Sequence, residues 1–144
     1  MLDKPSTIRL HSELGRIPLN DRIALKSFLV SLFKREGKQL TSLDIIFCSD
    51  QRLLAINQDF LGHNYYTDII TFNLGSNTAI EGEIYISVDR VRENALGLKE
   101  NFKTELHRVI FHGALHLCGF KDKSPREITV MRQKEAEYLG RYFK

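Results

Sequence analysis

The stretch Phe111 to Asp122, F-H-G-A-L-H-L-C-G-F-K-D, decides how the rest of the chain is read. His112 and His116 stand four residues apart in an apolar segment that reads as helix. On a helix that spacing puts both imidazoles on one face, one turn apart, where they can share a metal ion. Gly119 follows as a residue suited to leave the helix in a left-handed conformation. The chain then turns back and offers Asp122 as a third ligand. Three protein ligands plus a water is the open arrangement of a catalytic zinc site. The expectation is a metal-dependent hydrolytic site on His112, His116 and Asp122.

The residue after the first histidine narrows the chemistry. In H-E-x-x-H peptidases that position is the glutamate that serves as general base. Here it is Gly113, which cannot take a proton. Peptide hydrolysis of that type lacks its base, whereas the metal reading survives, because a bound ion can acidify water or act as Lewis acid unaided. Beyond a metal-bound water, the sequence singles out no catalytic residue.

Outward from this segment, Ser124-Pro125-Arg126-Glu127 is a capping box with proline at the first helical position, which starts a C-terminal helix. Met131, Leu139 and Tyr142 are expected to pack that helix onto the core. Upstream, Thr7 to Leu10 reads as a short strand. Asn20 is placed to cap a helix carrying Leu25, Phe28, Leu29, Leu32 and Phe33 as far as Gly37. Leu43 to Cys48 reads as a buried strand, and Asp50 as the cap of a helix that ends before Gly62. Thr67 to Phe72 and Gly82 to Val88 read as a hairpin, with Ile84, Ile86 and Val88 on one face. Asp89 is placed to cap a helix through Leu96. The metal-bearing helix should run from about Thr104 to Leu117, with Leu106, Ile110, Phe111 and Leu117 in the core and both histidines facing a cleft. The fold class is α+β: a small mixed sheet of about four strands covered by about five helices, one domain over residues 1–144.

Hydrophobic residues at 42% and charged residues at 27% are ordinary for a globular domain, and a net charge of +3 permits an acidic partner without demanding one. Cys48 and Cys118 make no disulfide framework. M-L-D-K-P-S at the start lacks the apolar core of a signal peptide, and no run suits a membrane span. The expected location is the cytoplasm, with no membrane partner.

The residues then point to a family. H-G-A-L-H-L-C-G-F-K-D resembles the signature H-G-x-L-H-L-x-G-Y-D-H of the YbeY family of bacterial rRNA maturation factors. T-D-I-I-T-F is similar to that family's T-D-V-L-S-F, E-G-E-I-Y-I-S to its G-D-I-x-I-S, and A-I-N-Q-D-F to its L-N-x-x-Y-R. The likeness spans about Leu43 to Met131. It implies a single-domain metal-dependent, single-strand-specific endoribonuclease that acts in 16S rRNA 3′-end maturation and small-subunit quality control. It also implies rRNA, the small ribosomal subunit and assembly proteins as partners, and one zinc ion per chain held by three histidines. His112 and His116 match the first two ligands, and the third position falls on Asp122.

Two departures from the pattern carry physical consequences. A carboxylate ligand adds negative charge, attracts a divalent cation, leaves its water less acidic, and admits manganese or iron beside zinc. Leu61 stands where the family commonly has an arginine expected to touch RNA phosphate, so Lys121, Lys123 and Arg126 become the candidate RNA contacts. An RNA-binding assembly factor with a mainly structural metal is the alternative function. A two-histidine, one-carboxylate iron oxygenase fits the ligand types, but the scarcity of strands does not suit its usual double-sheet scaffold. Smaller expectations are a surface or capping role for His107, a surface position for Glu105 with a supporting contact behind His112 as its alternative, a buried Cys118, and His63 in a loop near the T-D-I-I-T-F strand.

Overall fold

The computed structural model describes residues 5–144; residues 1–4, part of the M-L-D-K-P-S opening, lie outside the described residues. The order is β1 (Thr7–Ser12), α1 (Arg22–Arg35), β2 (Leu40–Cys48), α2 (Asp50–Leu61), β3 (Ile69–Asn73), β4 (Ile80–Ser87), α3 (Val88–Leu98), α4 (Phe102–Leu117) and α5 (Pro125–Tyr142). The strands form one sheet in the order β1-β2-β4-β3. β1 and β4 both run parallel to β2, and β3 closes the other edge antiparallel to β4, as the hairpin pattern requires. A single mixed sheet is not the double-sheet scaffold of the oxygenases.

Period-two alternation sorts the two faces. Leu43, Ile45 and Phe47 of β2 and Ile84 and Ile86 of β4 are fully buried on one side, beneath α1, α4 and α5. On the other side Ile70 and Cys48 form a smaller cluster with Leu53 and Ile56 of α2. Farther along that face Asp44 stands in partial solvent contact and pairs with Arg9 at 2.7 Å and His11 at 2.9 Å. α4 is the hub of the main layer: Leu106, Val109, Ile110, Phe111, Ala114 and Leu115 are all buried, and Leu117 is half-buried.

Gly113 lets α4 lie this close. A Cβ there would stand 2.7 Å from Cδ1 of Ile69 and 3.0 Å from Cδ1 of Ile84. The position that carries the base in H-E-x-x-H is therefore packed on the sheet, away from any cleft. Gly119, at φ 105°, takes the left-handed conformation expected of it and donates its N–H to the His116 carbonyl at 2.9 Å.

Several boundaries differ from the sequence reading. α1 is capped by Asp21 and not Asn20, since the Asp21 carboxylate accepts the Ala24 N–H at 3.0 Å. Ser49 and Ser87, not Asp50 and Asp89, cap α2 and α3. The two aspartates tie those helix starts together: Asp50 binds Arg90 at 2.7 Å, and Asp89 accepts the Asp50 N–H at 3.3 Å. α3 continues through Gly97 to Leu98, where Lys99 takes the left-handed conformation at φ 55°. α4 begins two residues earlier than expected, because Asn101 accepts the Thr104 N–H at 2.7 Å. Val88 belongs to α3, and Thr67 and Asp68 precede β3 instead of opening it.

Candidate metal centre

α4 presents His112 and His116 on one face with ring centroids 4.6 Å apart. Asp122 reaches them from the turn between α4 and α5. Its Oδ2 lies 3.3 Å from Nε2 of His112 and 3.3 Å from Nε2 of His116. That turn is pinned at both ends. Gly119 starts it, and the Ser124 capping box ends it: the Glu127 carboxylate accepts the N–H of Ser124 at 2.9 Å and of Lys123 at 3.2 Å. These backbone donors hold the Glu127 carboxyl below its ordinary range.

Glu135, buried on α5, fixes the first imidazole. Its Oε2 lies 2.5 Å from Nδ1 of His112, and its Oε1 accepts from Arg108 at 3.0 Å. Arg108 also makes a two-point contact with the buried Glu105 at 2.8 and 2.7 Å. Burial pushes the Glu135 carboxyl up, but the His112 hydrogen bond and the Arg108 charge outweigh it and hold the group below its ordinary value. An ionised carboxylate only accepts, so Nδ1 of His112 carries the hydrogen that faces Glu135, and Nε2 is the nitrogen directed at Asp122.

The arrangement fits a divalent metal on two counts. Nε2 of His112 and a carboxylate oxygen 3.3 Å away are both metal-ligand atoms, and a cation between them would be held by each. Ligands about 2.1 Å from one tetrahedral centre stand roughly 3.4 Å apart, close to the spacing found. The charges agree as well. Glu105, Glu135 and Asp122 outnumber the single Arg108 in this chain of contacts, leaving an excess of negative charge that a dication would neutralise. Each of the three residues offers one atom able to bind a metal, and these atoms lie within 4.8 Å of one another.

His112, His116 and Asp122 open on a cleft of about 310 Å³, also lined by Asn57, Leu61, His63, Tyr65 and Asp68. His63 and Tyr65 stack at 5.1 Å and stand exposed on its wall. Asp68 accepts a hydrogen bond from Asn94 at 3.1 Å, and burial raises its carboxyl pKa above the ordinary value. Lys121, Lys123 and Arg126 are exposed around the Asp122 turn and do not line the cleft.

Three sequence expectations need correction or completion. His107 is neither a surface nor a capping residue; it is 4% exposed and stacks on Tyr142. Glu105 is buried, not on the surface, because Arg108 compensates its charge. Cys118 is buried as expected, and burial pushes its thiol up to about 12, so it is no thiolate ligand. Glu135 and Asp68 were not singled out. Glu135 did leave a signal: it falls between Met131 and Tyr138 on the buried stripe of α5, where an unexplained carboxylate asks for a partner.

Comparison with known proteins then adds to the geometry. A family model described as Endoribonuclease YbeY matches residues 18–143. A Cytophaga hutchinsonii protein named Endoribonuclease YbeY is 47% identical over 138 residues, covering 95% of this chain and 96% of its own. A Porphyromonas gingivalis protein of the same name is 42% identical, covering 92% and 87%. A solution structure of a Thermotoga maritima protein superposes with a TM-score of 0.62 at 30% identity, covering 94% of this chain and 89% of the other.

Proposed function

The chain belongs to the YbeY endoribonuclease family, and from that premise we propose that it is a metal-dependent endoribonuclease of single-stranded RNA. One observation carries the reading: His112, His116 and Asp122 bring three metal-binding atoms within 4.8 Å of one another on the wall of a cleft. We assign these three as ligands and zinc as the metal. A divalent ion held there supplies Lewis acidity towards a phosphodiester oxygen and lowers the pKa of water.

The chain's own residues do the rest. Glu135 holds His112 in the tautomer whose Nε2 faces the cleft, and Arg108 keeps Glu135 ionised and in place. Asp68, its carboxyl pKa raised by burial, is suited to hold a proton on the cleft wall nearer to neutral pH than an ordinary aspartate. The stacked His63 and Tyr65 rings offer unpaired bases an aromatic surface, a contact open to single strands and closed to a duplex. Lys121, Lys123 and Arg126 approach the phosphates flanking the cleft. The family resemblance extends the substrate to the 3′ end of 16S rRNA on the small ribosomal subunit, in the cytoplasm. No helix among the described residues is long and apolar enough to cross a membrane.

Leu61 in the cleft wall, in place of an arginine, favours the second reading, an RNA-binding assembly factor with a structural metal. One experiment separates them. Protein purified without added metal is analysed by inductively coupled plasma mass spectrometry and assayed on single-stranded RNA beside His112→Ala and His116→Ala. Stoichiometric zinc and cleavage, both lost in the variants, support the nuclease. Metal with equal residual cleavage in every sample supports the assembly factor, and metal-free wild type sinks the site.

A further inference from the structure

The larger cavity, about 800 Å³, does not contain the histidine pair. It opens at the other end of α4, where Lys103, Leu106 and His107 meet the loop before α1, the start of α3 and the end of α5. The volume is that of a small-molecule site, and it shares no lining residue with the metal cleft.

Its chemistry is lopsided. Arg16, Arg22, Arg92 and Lys103 line it, and among the described residues none of them takes part in an ion pair. Its one acid, Asp21, caps α1. The Arg92 guanidinium sits 4.2 Å from the Phe102 ring centre, and the Lys103 ammonium 5.5 Å from that of Phe143. Unpaired cations beside aromatic rings suit a ligand that is anionic at one end and flat at the other.

His107 specifies the flat end. Its Nδ1 lies 2.7 Å from the Lys103 carbonyl oxygen. A carbonyl cannot donate, so Nδ1 carries the hydrogen and Nε2 is a bare acceptor. Burial depresses the imidazole pKa and keeps the ring neutral. Among the described residues Nε2 has no partner, yet no side-chain nitrogen or oxygen fully shielded from solvent is left unpaired. Nε2 therefore reaches the cavity that His107 lines, with the ring stacked 5.1 Å from Tyr142. It calls for an N–H donor in an otherwise aromatic setting, and every nucleobase has one on its pairing edge.

We propose that this cavity binds a nucleoside phosphate, its base beside Tyr142 and Phe143 donating an N–H to Nε2 of His107, its phosphate among Arg16, Arg22, Arg92 and Lys103. The ligand is either a free nucleotide or one unit of an RNA strand. The site stands independently of the metal, so either can fail alone.

Titration calorimetry with AMP and with ribose 5-phosphate, and anisotropy with a labelled, cleavage-resistant 2′-O-methyl oligoadenylate, test it. AMP should bind one per chain and ribose 5-phosphate about tenfold more weakly. His107→Phe should weaken AMP by about tenfold and leave ribose 5-phosphate unchanged. The exposed double variant Arg92→Ala, Lys103→Ala, which does not threaten the core, should weaken both and flatten the salt dependence. An oligoadenylate held more tightly than AMP and weakened by the same variants makes the ligand a strand unit; equal affinity makes it a free nucleotide. No saturable binding of either probe overturns the site, as does binding that the double variant leaves intact. Unchanged AMP affinity in folded His107→Phe overturns the assigned base contact.

Discussion

Oε2 of Glu135 lies 2.5 Å from Nδ1 of His112, so a carboxylate on α5 decides which nitrogen of an α4 imidazole faces the cleft. Glu135→Gln keeps the shape but loses the charge, and its amide can turn an N–H towards Nδ1 and reverse the tautomer. Loss of such a partner typically weakens a metal site by about 10–100-fold. Competition with a chromophoric chelator should show that drop in the variant. Equal affinities in the two proteins would remove Glu135 from the site.

The sequence revealed the parts of this site that follow from local spacing and hid those that need tertiary contact. His112 and His116 are legible because one turn of helix joins them, and the turn to Asp122 because Gly119 and the Ser124 box bracket it. The Glu105, Arg108, Glu135 and His112 chain crosses two helices, so no local pattern announces it. The cap errors have the same origin. In S-D-Q-R and S-V-D-R the serine and the aspartate are equal candidates by type, and the ties of Asp50 to Arg90 and of Asp89 to the Asp50 N–H leave the serines as caps.

Gly113→Glu would restore the H-E-x-x-H string without restoring its chemistry. The new side chain would start 2.7 Å from Ile69 and drive a carboxylate against Ile84 of the sheet. Overpacking costs about 1–3 kcal/mol and an unpaired buried charge about 3–5 more, so a loss of roughly 4–8 kcal/mol is expected. Urea denaturation should read it as a large fall in midpoint, and no peptidase activity should appear. A variant as stable as the wild type would contradict the packing of α4 on β3 and β4.

Asp122→His would turn the proposed ligand set into three imidazoles. Metal should be retained, because a histidine offers the same lone pair from a turn whose ends are fixed. Removing the ligand's negative charge makes bound water more acidic, so the acid limb of the pH–rate profile should move to lower pH. An acid limb that stays in place, with metal content intact, would mean that Asp122 does not touch the ion.

His107 gives the fold a pH dependence of its own. Burial between Tyr142 and Phe111 lowers its native pKa, so the unfolded chain takes up the proton first. Its contribution is full above the ordinary imidazole value of about 6.5 and is lost as pH falls from there towards the native pKa. His107→Phe removes the term. Urea midpoints measured across that range should fall more steeply in the wild type than in the variant. Parallel curves would show that the ring is as easily protonated in the folded protein as in the unfolded one.

Leu61→Arg tests whether the cleft lacks only a phosphate clamp. Leu61 is 44% exposed at the end of α2 and lines the cleft beside His63 and Tyr65, so an arginine there can extend without displacing core atoms. One added phosphate contact should lower KM for single-stranded RNA by about three- to tenfold and steepen the salt dependence by about 0.7 in log–log slope. kcat should change little if the new contact is made equally in ground and transition states. Steady-state cleavage measured across a salt series checks both numbers. If neither KM nor the slope moves, the RNA phosphate does not pass that wall of the cleft, and Lys121, Lys123 and Arg126 around the Asp122 turn become the test of where it does.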